Sequence, residues 1–106
     1  MPTVIFKRND TNLKFTDTIL VNGLAADLTN STVSFVLRDQ SSGVAVKKTA
    51  TVVGAMLGTV EYAPVIGDVS KAGTFSQEWE VVWQNGKQLT IPSSGYNTVV
   101  IDPDLG

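Results

Sequence analysis

The run Ala72-Gly73-Thr74-Phe75-Ser76-Gln77-Glu78-Trp79-Glu80-Val81-Val82-Trp83 constrains the fold of this chain more than any other. Gly73 breaks the backbone just ahead of an aromatic residue. From there Phe75, Trp79, Val81 and Trp83 share one face and Glu78 and Glu80 the other, which is the period of two that belongs to a β-strand. Aromatic and β-branched side chains at that spacing need a second layer to bury against, so a strand of this kind predicts a packed sheet.

The rest of the chain punctuates into similar runs. Residues 3–7, 13–21, 32–39, 44–53, 58–63, 74–83, 87–91 and 96–101 read as strands. Within residues 32–39, Val33, Phe35 and Leu37 alternate with polar neighbours. Asn22-Gly23 and Asn85-Gly86 are hairpin dipeptides, the second read as a type I′ turn, and Ser41-Ser42-Gly43 is a hairpin loop. Residues 65–71 have room for one helical turn. About eight short strands at roughly 8–12-residue spacing, with no amphipathic helix, predict an all-β antiparallel sandwich. Its expected core is Val33, Phe35, Leu37, Val60, Tyr62, Phe75, Trp79 and Val81.

At 106 residues the chain reads as one domain, residues 1–106, able to bury roughly 65% of its unfolded surface. It has no Cys, so its stability comes from packing rather than disulfides or thiolate metal sites, and it suits a reducing cytosol. The net charge of −2, with Lys and Arg thinly spread, argues against nucleic acid as a partner. No window approaches the roughly 18 apolar residues of a membrane span, and the first residues lack the basic and apolar segments of a signal peptide.

No constellation of residues carries catalytic chemistry. There is no His, which removes the commonest general base and metal ligand. Glu78 and Glu80 lie two apart on a strand face and read as its solvent side. Asp102-Pro103-Asp104 lacks the further carboxylates of a calcium site. Ser41-Ser42-Gly43 and Ser93-Ser94-Gly95-Tyr96 lead into no helix and so offer no converging amides for phosphate. The expectation is a non-enzymatic protein with no cofactor and no metal.

Four stretches, in their order and spacing, carry a family resemblance. They are Asp27-Leu28-Thr29-Asn30-Ser31-Thr32-Val33-Ser34-Phe35-Val36-Leu37-Arg38-Asp39; Ala50-Thr51-Val52-Val53 with Gly58-Thr59-Val60-Glu61-Tyr62; Ala72-Gly73-Thr74-Phe75; and Ile91-Pro92-Ser93-Ser94-Gly95-Tyr96 ahead of Val99-Val100-Ile101. Together they resemble the immunoglobulin-like domain found at the N-terminus of phage baseplate upper proteins and in related small tailed-phage virion proteins, over nearly the whole chain. Phe75 stands where Tyr is common.

The resemblance implies an antiparallel immunoglobulin-like β-sandwich of about seven to eight strands. It also implies a structural role in the virion: a baseplate, tail or fibre-attachment adaptor present in multiple copies, assembled in the host cytoplasm and docked on other tail, baseplate or capsid proteins. Two alternatives are a head decoration protein of the same fold and a carbohydrate-binding adhesion module using Trp83, Tyr96 or Trp79. The expected docking residues are at the chain ends. Val4, Ile5 and Phe6 are three consecutive apolar residues on a short strand, so either face leaves an apolar side chain for a partner. Ile101 and Leu105 flank the Pro that ends the last strand.

Overall fold

The computed structural model describes residues 3–92 and 95–103. The strands are β1 (Thr3–Lys7), β2 (Phe15–Thr18), β3 (Leu20–Val21), β4 (Leu24–Ala25), β5 (Ser31–Asp39), β6 (Ala45–Thr49), β7 (Thr51–Gly54), β8 (Thr59–Tyr62), β9 (Gly73–Trp83), β10 (Gln88–Ile91) and β11 (Asn97–Asp102). Two 3-10 turns, Ala55–Leu57 and Ile66–Asp68, interrupt them. The second is the helical turn expected between residues 65 and 71.

The chain forms an all-β sandwich. Its large sheet runs β1-β11-β9-β5-β6, with β10 beside the second half of β9, and faces a small sheet β2-β8-β7. The long aromatic strand, β9, is the centre of the large sheet. On one flank it pairs with β5 from Ser31↔Trp83 to Asp39↔Phe75. Its other flank is served first by β11 over residues 73–77 and then by β10 over residues 79–82, both antiparallel. β10 and β11 thus lie one after the other along the same flank of β9.

The alternation in β5 and β9 decides what is buried. All eight expected core residues lie in one hydrophobic cluster, joined by Phe15, Ile19, Leu28, Val69, Val99 and Ile101. Phe35 is its hub. Its ring stacks on Tyr62 of the small sheet at 4.5 Å and meets Trp79 edge-on at 5.4 Å, while Phe15 packs beside it at 4.8 Å. Four aromatic side chains from both layers close on one another here, and aromatic burial dominates the energetics of such cores.

Four expectations are corrected. The sheet is not wholly antiparallel, because β1 runs parallel to β11. The extended run 44–53 is two strands, since the chain leaves the large sheet at buried Ala50 and continues as β7 in the small one. The Ala50 amide still donates to Val33 O at 2.8 Å, so the backbone stays bonded as it crosses. The run 13–21 divides into β2 and β3, and residues 24–25 return as β4 to make a separate hairpin. At that hairpin Asn22 and Gly23 both have positive φ, 53° and 79°, as a type I′ turn requires. The Asn85-Gly86 hairpin is different. Trp83 N bonds Lys87 O, Gly86 N bonds Trp83 O, and of the three loop residues only Gly86 has positive φ, which is a type I turn closed by a glycine bulge.

Candidate functional site

β1 is an edge strand of the large sheet, as its three consecutive apolar residues lead one to expect. Its inner flank is held by β11, with Val4 opposite Val99, Ile5 opposite Val100 and Phe6 opposite Ile101. Because side chains alternate, Val4 and Phe6 face the small sheet and Ile5 faces away. Phe6 is half-buried, edge-on to Phe15 at 6.0 Å. Ile5 is 64% exposed and Val4 40%. Among the described residues no strand pairs with the outer flank of β1.

The five expected docking residues therefore divide. Val4 and Ile5 are open at the edge, and Phe6 is tied into the domain's own packing. Ile101 does not belong with them. It is 1% exposed and points into the core on the inner face of β11, so it has no surface to offer a partner. Leu105 lies outside the described residues.

Behind Val4 the two sheets part, leaving an open cavity of about 220 Å³ lined by Val4, Phe15, Gln77, Trp79, Asn97 and Val99. Gln77 sits on the inner face of β9 between Phe75 and Trp79, at the point where β10 gives way to β11. Asn97 Nδ2 donates to Gln77 Oε1 at 2.9 Å, and the buried Gln77 Nε2 meets no acceptor among the described residues. The signal for this pair was in the sequence: Gln77 is the one polar side chain on the apolar face of an otherwise regular alternation.

Several charged groups are held by partners within the domain. Lys47 Nζ reaches Glu80 Oε1 at 2.8 Å across the outer face of the large sheet, where Glu78 also lies. Asp39, 5% exposed at the end of β5, accepts Lys71 Nζ at 2.6 Å and Ser41 N at 2.9 Å. These donors, Lys71 foremost, hold its carboxyl below the ordinary 3.8. The amide bond also explains Ser41-Ser42-Gly43, which is the turn that caps β5, with Gly43 N bonded to Asp39 O. The Thr29 hydroxyl and amide likewise lower the Asp27 carboxyl. Among the described residues no group of three or more acids could hold a metal ion. Ser93 and Ser94 lie outside the described residues.

The three aromatic residues considered for glycan stacking do not form a platform. Trp79 is buried at the core. Trp83 is half-buried, and its indole Nε1 donates to Asp27 O at 2.9 Å. Tyr96 is exposed but adjoins Asn97, which pairs with Gln77, so about 20 Å of β9 separates it from Trp83. A single sugar ring cannot stack on both.

Among known proteins, no family model matches the chain and no curated protein matches it.

Proposed function

We propose that this chain is a non-enzymatic structural protein of a tailed-phage virion, acting by protein–protein docking through the free edge of β1. One observation carries the docking. Ile5 is two-thirds exposed on an edge strand whose outer flank is unpaired among the described residues. Soluble sheets blunt their edges with charge, Pro or bulges, and the middle of β1, Val4-Ile5-Phe6, has none of these. Such a strand can accept an extended segment of a partner by main-chain hydrogen bonding, with Ile5 buried in the new contact. The virion context comes from the resemblance of the chain's motif order to phage baseplate domains.

The test has two stages. Mass spectrometry of purified virions from the host that encodes the chain should find it in several copies per particle; its absence would end the virion reading. Ile5→Lys should then lower incorporation at least tenfold, about 1.4 kcal/mol, without changing the melting temperature. Incorporation of Ile5→Lys at full copy number would remove β1 as the docking edge.

A further inference from the structure

At the edge of the large sheet far from β1, between β6 and the 3-10 turn Ile66–Asp68, lies a second cavity, of about 300 Å³. That is within the size range of small-molecule sites. Leu37, Val46 and Phe75 share the inner face of the sheet by their register and give the cavity apolar walls. Two carboxylates are set among them. Asp39, 5% exposed, and Asp68, 9% exposed, are the buried acids among the described residues, and both line this one cavity.

The two acids are neutralised unequally. Asp39 Oδ2 takes the ammonium of Lys71, whose side chain is 66% exposed. Asp68 has no such partner. Its Oδ2 accepts Tyr62 Oη and the Val65 amide, while among the described residues its Oδ1 accepts no hydrogen bond and no Lys or Arg pairs with it. Two hydrogen bonds offset part of the cost of burying that charge, and a cation beside it would offset more. Two carboxylates against the one ammonium of Lys71 leave the lining with a net charge of −1. Lys71 also shows what answers such a carboxylate here: a primary ammonium on an aliphatic stem.

We propose that this cavity is a binding site for a second alkylammonium, with its charged head at Asp68 and its stem along Leu37, Val46 and Phe75. Both halves of the ligand are recognised. The carboxylate selects a cation and gives it a charge-assisted hydrogen bond, and the walls take apolar surface out of water at roughly 0.8 kcal/mol per CH₂. A stem of four carbons, the length of a lysine side chain, fits the space. The same chemistry is offered by a free aliphatic amine and by a lysine of a partner protein. The cavity and the β1 edge are on opposite sides of the large sheet, so this site does not depend on the docking proposed for β1.

NMR titration of the whole chain with n-butylammonium tests this. Saturating shifts are expected at the methyl groups of Leu37, Val44 and Val46, with a Kd of about 1 mM or tighter. Methylammonium, which lacks the stem, and n-butanol, which lacks the charge, should each bind at least tenfold more weakly. Asp68→Asn should weaken butylammonium binding by the same factor. Asp68 also anchors its corner, so where that variant unfolds a second one decides. Val44 lines the cavity and is 67% exposed, and Val44→Trp should occlude the space and abolish binding with an unchanged melting temperature. Acetyl-Gly-Lys-Gly-amide in the same titration separates the sources: binding as tight as butylammonium points to a partner's lysine, weaker binding to a free amine. No saturating shift up to about 50 mM butylammonium overturns the proposal. So does equal binding of methylammonium or butanol, or undiminished binding in Val44→Trp or in a folded Asp68→Asn.

Discussion

Tyr62 Oη donates to Asp68 Oδ2 at 2.5 Å, joining the last residue of β8 to the 3-10 turn that leads towards β9. The same carboxylate oxygen accepts the Val65 amide at 3.1 Å, so one acid fixes the whole corner between the small sheet and the large one. Burial, and next the Asp68 carboxylate, push the Tyr62 phenol far above its ordinary 10.0. The folded chain thus holds the phenolic proton more tightly than the unfolded chain, and the stability this confers is complete below pH 10.0 and lost as pH rises beyond it. Tyr62→Phe should cost about 1.5–3 kcal/mol in urea unfolding with an unchanged m value, the range for a hydrogen bond to a charged group. It should also flatten the fall in stability above pH 10.0. A loss under about 0.5 kcal/mol would mean that Val65 alone holds the corner.

The acid limb belongs to Asp39. Its carboxyl is held below 3.8 by Lys71 and the Ser41 amide, so its contribution is present above that pH and disappears as pH falls through the lowered value. Asp39→Asn should therefore lower the melting temperature near neutrality, and the gap from wild type should narrow as pH falls below 3.8. Thermal scans between about pH 2 and 7 decide it; a gap that stays constant to the lowest pH would show that Asp39 acts by shape alone.

Phe35 touches three aromatic rings, Phe15, Tyr62 and Trp79, and bridges both sheets. Phe35→Ala should cost about 3–5 kcal/mol, a large share of an ordinary domain's stability. Chemical denaturation followed by the emission of Trp79 and Trp83 gives the value directly. A cost near 1 kcal/mol would show that the neighbouring rings collapse into the space.

The alternation that placed Phe35, Trp79 and their neighbours inside was legible because a half-buried strand has a period of two, and a slip of one residue reverses every side chain. Sheet membership was not legible. Val44, Val46, Thr51 and Val53 suit any pleated surface, so nothing local marks Ala50 as the place where the strand changes layers. The parallel pairing of β1 with β11 joins the two ends of the chain, and no short-range signal encodes it. The two Asn-Gly dipeptides look alike in sequence, yet Asn22 adopts positive φ and Asn85 does not, because Gln84 adds a third loop residue and leaves the left-handed position to Gly86. As for docking, apolar Val4 and Ile5 were legible as an edge. Ile101 was misplaced because a strand's last apolar residue looks the same whether it ends in core or in solvent.

Gly58 ties the base of the β3–β4 hairpin to the body of the domain, its carbonyl accepting the Ile19 amide at 2.7 Å. Its φ is +68°, and a Cβ there would lie 2.6 Å from Ile19 O, backbone that is itself bonded to Ala26. Gly58→Ala thus adds a clash to the about 1–2 kcal/mol of left-handed strain, and should cost more than 2 kcal/mol. Gly23→Ala, also at positive φ but with nothing within 4 Å, should cost only the strain. Equal losses at the two sites in equilibrium unfolding would refute the close approach at Gly58.

Gln77 and Asn97 form a polar pair on the inner face of the large sheet, and Gln77 Nε2 finds no acceptor among the described residues. Burying a polar side chain costs about 1–3 kcal/mol where its hydrogen bonds are not replaced, and among the described residues the bond to Asn97 is the one side-chain partner Gln77 has. Replacing Gln77 alone with Leu strands the half-buried Asn97 amide and should destabilise. Gln77→Leu with Asn97→Val removes both polar groups while keeping their approximate shape, and should be neutral or stabilising relative to wild type. Each single variant and the double variant, compared in one double-mutant cycle of urea unfolding, isolate the coupling. A double variant less stable than wild type would mean that the pair is worth more than the apolar packing that replaces it, and that the break between β10 and β11 depends on a polar plug at this position.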